Sequence, residues 1–153
     1  MKTILLVDDH PFILDTYVKM LKNIISFKCE KILEATNVEK AISVMNEAEK
    51  IDIAFLDISM PKKNLSNLED GIDLAIYFKT KHPNAKIVFI TMHSEFHILL
   101  KAIHLVNPEV FISKNDVDTF TFNSILEALK NDKLLRKYAD VVSESLLNNN
   151  NIS

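Results

Sequence analysis

Five side chains stand where short apolar runs give out, and their types can do chemistry together. Asp8 and Asp9 follow Ile4-Leu5-Leu6-Val7, Asp57 follows Ile53-Ala54-Phe55-Leu56, Thr91 closes Ile87-Val88-Phe89-Ile90, and Lys114 comes just after Val110-Phe111-Ile112-Ser113. If these runs are parallel strands of one sheet, the five residues share its carboxyl edge, where open α/β sheets take their ligands. Three carboxylates in one partly buried pocket repel one another unless a cation joins them. A hard divalent ion with oxygen ligands meets that need, and magnesium keeps positions open for water and phosphate oxygens. Lys114 brings a mobile point charge suited to a phosphoryl oxygen, and Thr91 a hydroxyl donor. A carboxylate nucleophile, a metal and a lysine are together the parts for moving a phosphoryl group onto Asp57.

The elements that must position these groups follow from periodicity. Ile51 to Leu56 has the length and polarity of a buried parallel strand, and Met60-Pro61 keeps a helix from starting at once. Thr3 to Val7 reads as a first strand, with Pro11 in the first turn of a helix whose stripe is Ile13, Tyr17, Met20, Leu21 and Ile24. Phe27 to Ala35 is a less uniformly apolar strand, hence one nearer an edge. Thr36 or Asn37 caps a helix that buries Val38, Ala41, Ile42, Met45 and Ala48. Lys62 to Asp70 reads as a loop ended by Gly71, before a helix with Ile72, Ala75, Ile76 and Lys79 on one side, stopped at His82-Pro83-Asn84. Lys86 to Thr91 is a fourth strand, followed by a helix on Phe96, Leu99, Leu100 and Ile103 and a break at Asn107-Pro108. Val110 to Ile112 is a fifth strand, and the next helix buries Phe122, Ile125, Leu126 and Leu129. Strands alternating with helices imply right-handed crossovers and a doubly wound five-stranded parallel sheet with helices on both faces.

Composition narrows the function. The 153 residues suit one domain that buries enough surface to need no staple. A single cysteine, Cys29, excludes an internal disulfide framework and fits a reducing, cytoplasmic setting. The apolar start is cut off by Asp8-Asp9, too short for a signal peptide or a membrane span. A net charge of −3 without a basic cluster argues against a nucleic-acid surface on this segment. Gly71 is the only glycine, so glycine-rich phosphate loops are excluded by counting.

Four motifs, Val7-Asp8-Asp9-His10-Pro11, Leu56-Asp57-Ile58-Ser59-Met60-Pro61, Thr91 and Phe111-Ile112-Ser113-Lys114, resemble in order the motif set of response-regulator receiver domains. The Asp-Asp-His-Pro wording and the segment Tyr138 to Leu147 are most similar to the subfamily whose receiver precedes a LuxR-type helix-turn-helix DNA-binding domain. The resemblance implies a flavodoxin-like sheet of strand order 2-1-3-4-5. It implies that Asp57 accepts a phosphoryl group from a histidine kinase or phosphotransfer protein, with Mg2+ held by Asp57, by Asp9 directly, by Asp8 largely through water, and by the Ser59 carbonyl. Thr91 and Lys114 would then hold the phosphoryl group, and Phe111 would be the aromatic that swings inward when Thr91 moves. The output would be a rearranged face of the fourth helix, fifth strand and fifth helix, which commonly dimerises, with DNA reached only through an output domain that this chain lacks. On this reading the chain is not an enzyme, but a phosphoacceptor that assists its own phosphorylation and dephosphorylation. Residues 1–131 would be the receiver domain, 132–147 a C-terminal helical extension, and 148–153 a linker or disordered tail. Two departures stand out: the loop between Pro61 and Gly71 is longer than the usual form, and Asn107-Pro108-Glu109-Val110 replaces a small glycine pair.

Plainer readings compete. Asp8-Asp9 could cap the first helix, Thr91 could be an ordinary strand residue, and Phe111 is core by default. His93 and His97 share a helical spacing but have no evident third ligand, His10 would shape the pocket rim, and Cys29 reads as a small core residue. Aspartyl-phosphate hydrolases place a second aspartate two residues after the nucleophile, where this chain has Ser59. A pseudo-receiver that binds proteins without phosphorylation is the other rival.

Overall fold

The structure, a computed structural model, describes residues 2–24, 28–60, 70–92 and 95–131. The 132–147 extension, the 148–153 tail, His93 and nearly all of the long loop lie outside the described residues. The chain runs β1 (Lys2–Val7), α1 (Pro11–Lys22), β2 (Cys29–Ala35), α2 (Val38–Glu47), β3 (Ile53–Leu56), α3 (Gly71–Lys81), β4 (Lys86–Thr91), α4 (Phe96–Val106), β5 (Val110–Ser113), a 3-10 turn (Lys114–Asp116) and α5 (Thr119–Lys130). The five strands form one parallel sheet in the order β2-β1-β3-β4-β5, the flavodoxin-like arrangement.

Two cores sandwich that sheet. Strand side chains alternate between faces, so Leu5, Val7, Ala54, Leu56, Ile87 and Phe89 meet α2, α3 and α4. Ile4, Leu6, Ile53, Phe55, Val88, Ile90, Val110 and Ile112 face α1 and α5 instead. Every residue of β3 is buried, as expected of a strand with helices above and below it. β2 alternates less cleanly and occupies an edge, which explains its mixed sequence.

Several helix faces differ in detail from the periodicity reading. In α1 the buried residues are Leu14, Tyr17 and Leu21, with Ile13 and Met20 only partly covered. Gly71 is the first residue of α3 and does not end the loop; Asp70 caps the helix, its Oδ1 accepting from the amides of Ile72 and Asp73 at 2.8 and 3.0 Å. α3 buries Ile72, Leu74, Ala75 and Phe78, whereas Ile76 is 38% exposed. In α4 the covered residues include Leu99, Ala102 and Val106, and Leu100 is turned outward. The shifts in α3 and α4 have one cause: these helices also pack on each other and on α2 or the sheet, so their apolar surface is wider than one stripe. β2 begins at Cys29; Phe27 lies outside the described residues. Asn37 caps α2 through Lys40 N at 2.7 Å, and α5 buries Phe122, Ile125, Leu126 and Leu129 as the pattern requires.

Candidate functional site

The end of β3 is fixed from both sides. The Asp57 amide donates to the Val7 carbonyl at 3.1 Å, continuing the β1–β3 ladder by one residue. On the other flank the Gly71 amide donates to Ile58 O at 3.1 Å, which presses the start of α3 against the strand end. A Cβ at position 71 would fall on the carbonyl oxygen of Asp57 and come within 2.8 Å of Ile58 Cα, so only glycine fits there. The strand therefore delivers the Asp57 side chain to the sheet's carboxyl edge, where it is 2% exposed. Its Oδ1 accepts from the Ser59 amide at 2.9 Å, and its Oδ2 accepts from Lys114 Nζ at 2.7 Å.

Lys114 also lies 2.7 Å from Asp8 Oδ2, so one ammonium bridges two carboxylates that are each 2% exposed. Burial alone would lower the Lys114 pKa, but the hydrogen bonds and charges of Asp57 and Asp8 outweigh it and leave the group above its ordinary value. The Asp8 backbone is set by its amide donating to Ala35 O at 3.2 Å. Asp8 Oδ1 accepts from the His10 amide at 2.9 Å and lies 3.0 Å from His10 Nδ1. A carboxylate only accepts, so that ring nitrogen carries the proton. Asp9 Oδ1 is 2.9 Å from the same Nδ1, yet not at an angle that makes a hydrogen bond, and it is buried without a hydrogen-bond partner.

An orphaned carboxylate oxygen beside a second, paired carboxylate is what a hard divalent ion would satisfy. Among the described residues, ligand atoms of Asp8, Asp9 and His10 lie within 4.8 Å of one another. The Asp8 and Asp9 oxygens thus fit an oxygen-preferring cation, while Asp57 stands outside that cluster and is joined to Asp8 through Lys114. Ser59 itself is exposed, and its amide contact aligns the Asp57 carboxylate.

Thr91 ends β4 buried at 3% exposure, with its Cα registered opposite Ser113, the residue before Lys114. Phe111 is partly covered and stacks on Phe89 with ring centroids 5.5 Å apart and planes 21° from parallel. Tyr17 of α1 lies near enough for Asp8, Asp57 and Lys114 to act on it; burial, then the two carboxylates, push its phenol up to about 12 despite the opposing lysine. Sequence reasoning assembled Asp8, Asp9, Asp57, Thr91 and Lys114 at one edge, and the structure brings them there. It missed how tightly Gly71 abuts Asp57, a role hinted at by its being the sole glycine, and it gave His10 only the rim.

The receiver model of response regulators matches residues 4–130, nearly the whole described chain. The chain belongs to the response regulator receiver family. This receiver is 24% identical over 105 residues to a glycerol metabolism activator of Pseudomonas putida, covering 67% of this chain but 43% of that protein. It spans less than half of that curated relative. Among solved structures, RcsB from Salmonella enterica serovar Typhimurium, bound to a promoter in the presence of the phosphomimetic BeF3−, is similar with a TM-score of 0.70 and 24% identity, over 86% of this chain and 100% of that one. A CheY-like receiver from Methanospirillum hungatei gives 0.69 and 22%, over 90% and 98% of the two chains. A Burkholderia pseudomallei response regulator with a phosphorylated aspartic acid and a calcium ion gives 0.72 and 19%, over 97% and 75%. At these identities the structural likenesses establish the receiver's fold. Among the described residues no helix is long and apolar enough to cross a membrane.

Proposed function

We propose that this receiver is a phosphorylation-dependent switch in a two-component pathway, with Asp57 as the acceptor. The observation that carries this reading is the Lys114 bridge: one ammonium 2.7 Å from both Asp57 Oδ2 and Asp8 Oδ2 at the buried end of the central strand. A purely structural carboxylate would have no need of a second buried acid beside it.

In the proposed reaction an Asp57 oxygen attacks the phosphorus of a phosphohistidine on a kinase or phosphotransfer protein. The P–N bond breaks, the imidazole leaves, and an acyl phosphate forms on Asp57. The Ser59 amide holds the Asp57 carboxylate in line through Oδ1. Lys114 then exchanges its contact with the acceptor for one with a phosphoryl oxygen, and Thr91 offers its hydroxyl to another. Asp8, Asp9, Asp57 and the Ser59 carbonyl would hold Mg2+, which offsets charge on the transferring group. The chain is a phosphoacceptor and not an enzyme acting on a separate substrate.

Contacts from Thr91 and Lys114 that exist only with the phosphoryl group bias a two-state equilibrium, and Phe111, stacked on Phe89 beside Thr91, carries the change to the α4–β5–α5 face. That face would serve a homodimer and so an output. The Asp-Asp-His-Pro wording, and the activator and promoter-bound regulator among the similar proteins, support a role in transcription through a LuxR-type DNA-binding domain beyond this segment, in the cytoplasm. The test is an amide NMR spectrum with Mg2+ and BeF3−. The parent should show shifts on α4, β5 and α5, and Lys114→Ala a blunted set. A Lys114→Ala response equal to the parent's would sink the switch assignment.

A further inference from the structure

His10 is the residue at the acid pocket that the proposed reaction leaves without work. Its ring is 61% exposed on the solvent side, yet Nδ1 sits 3.0 Å from Asp8 Oδ1 and 2.9 Å from Asp9 Oδ1. The two oxygens it stands between come from the two carboxylates assigned to the cation. Pro11 and the first turn of α1 follow at once, and the His10 carbonyl accepts from the amides of Ile13 and Leu14 at 3.0 and 3.2 Å, so the backbone that carries the ring is fixed. The ring alone is free to turn about its side-chain torsions.

One Nδ1–H serves one acceptor at a time. It is aimed at Asp8, and Asp9 Oδ1 is left close to the ring nitrogen with no hydrogen bond. A divalent ion that takes Asp9 Oδ1 as a ligand, and Asp8 Oδ1 directly or through its water, uses lone pairs that face this nitrogen. Ring and ion therefore compete for the same acceptor oxygens. We propose that His10 is a tethered plug of the cation site: its imidazole braces Asp8 and Asp9 by standing between them, and a divalent ion binds by displacing it. This rests on the reading of Asp8 and Asp9 as cation ligands, and it adds a positioning residue that sets how much free Mg2+ the switch needs. A hydrogen bond of ordinary net strength, lost on displacement, makes the ion's apparent affinity about three- to tenfold weaker than in a chain without the ring.

The test is a Mg2+ titration of the parent at one fixed pH, followed by NMR on the His10 ring and on the Asp9 backbone amide. Calorimetric titrations of His10→Ala and His10→Asn run beside it. The His10 ring signals, assigned by their loss in His10→Ala, should move along the same saturation curve as the Asp9 amide. His10→Ala should bind Mg2+ about three- to tenfold more tightly, and His10→Asn, which keeps a donor, should fall between. Because the ring braces only the metal-free fold, His10→Ala should stay folded and melt a few degrees below the parent without Mg2+, with the gap closing in saturating Mg2+. A ring that stays still while the Asp9 amide titrates would overturn the plug, as would His10→Ala binding Mg2+ no more tightly than the parent. Weaker binding in His10→Ala would make the imidazole a ligand or a needed brace. If Mg2+ moved neither signal and bound no variant, the cation reading itself would fall, and the plug with it.

Discussion

Replacing Gly71 by alanine tests how the fold holds the acceptor. The added methyl would land on the Asp57 carbonyl and lie 2.8 Å from the Asp57 carbonyl carbon and from Ile58 Cα, below the 3.0 Å that real Cβ atoms keep. All three obstacles are backbone atoms of Asp57 and Ile58, just past the end of β3, so neither side yields by a rotamer change. Overpacking against a well-packed core costs about 1–3 kcal/mol, and separation also breaks the Gly71 N to Ile58 O bond, about 1 kcal/mol more. Alanine's better helix propensity returns under about 1 kcal/mol at the first helical position. The net expectation is a loss of about 2–3 kcal/mol, read in urea unfolding, and a Tm lower by about 6–10 °C. The same displacement should slow labelling of Asp57 by about ten- to a hundredfold, since misplacement on the order of 1 Å is that costly to reaction geometry. Ile76→Ala, in the same helix but 38% exposed, is the control and should stay within about 0.5 kcal/mol. A Gly71→Ala protein as stable as the parent and labelled at the parent's rate would refute the packing argument.

Lys114→Met leaves Asp8 and Asp57 facing each other with no counter-charge, and equilibrium unfolding should show a loss of about 3 kcal/mol. Millimolar Mg2+ should recover more stability in that variant than in the parent. Because the Lys114 pKa is raised in the fold, its contribution is complete below about pH 10 and lost as pH rises through the folded value. Tyr17 adds to the same alkaline limb. Between about pH 10, where a free phenol ionises, and the folded value of about 12, only the unfolded chain releases this proton, so stability falls across that window. Absorbance titration of the parent against Tyr17→Phe isolates the late phenol, and ionisation near pH 10 would contradict its placement beside the pocket acids. At the opposite end of the sheet Asp52 is 9% exposed; burial would raise its pKa, but the Thr3 amide at 2.9 Å, with Lys50 and Lys2, holds it below the usual range. Its contribution is present above about pH 4 and lost as pH falls through the folded value, so Asp52→Asn should flatten the acid limb of a stability profile.

Much of this was legible from strand ends alone. The runs before Asp8, Asp57, Thr91 and Lys114 are apolar and short, and parallel strands put their carboxyl ends on one edge whatever the details of the helices. β4 emerges at Lys86–Thr91 as read, and the α5 face needed only its period, because α5 packs on one neighbouring helix and one sheet face. α3 and α4 resisted that treatment. A helix covered on more than one side buries residues such as Leu74 and Ala102 that a single stripe leaves out, and single-stripe counting instead favoured Ile76 and Leu100. At the site, residue types named the chemistry but could not give the pairing. That Lys114 bridges Asp57 and Asp8, and that His10 stands between Asp8 and Asp9, depends on side-chain torsions that spacing does not encode. Gly71 carried a readable signal, a lone glycine after a capping aspartate, but its reason is a long-range contact with Asp57 and not the local turn.

Whether Asp57 takes up a phosphoryl group is measured most directly by intact mass after incubation with Mg2+ and acetyl phosphate, beside Asp57→Ala and a chelator control. The account predicts one added phosphoryl group on the parent, absent from the variant and from the chelated sample. An adduct of the same size on Asp57→Ala would place the acceptor elsewhere. A parent that binds Mg2+ yet gains no mass, even when the sample is quenched within seconds, would contradict the switch and favour a receiver that works without phosphorylation.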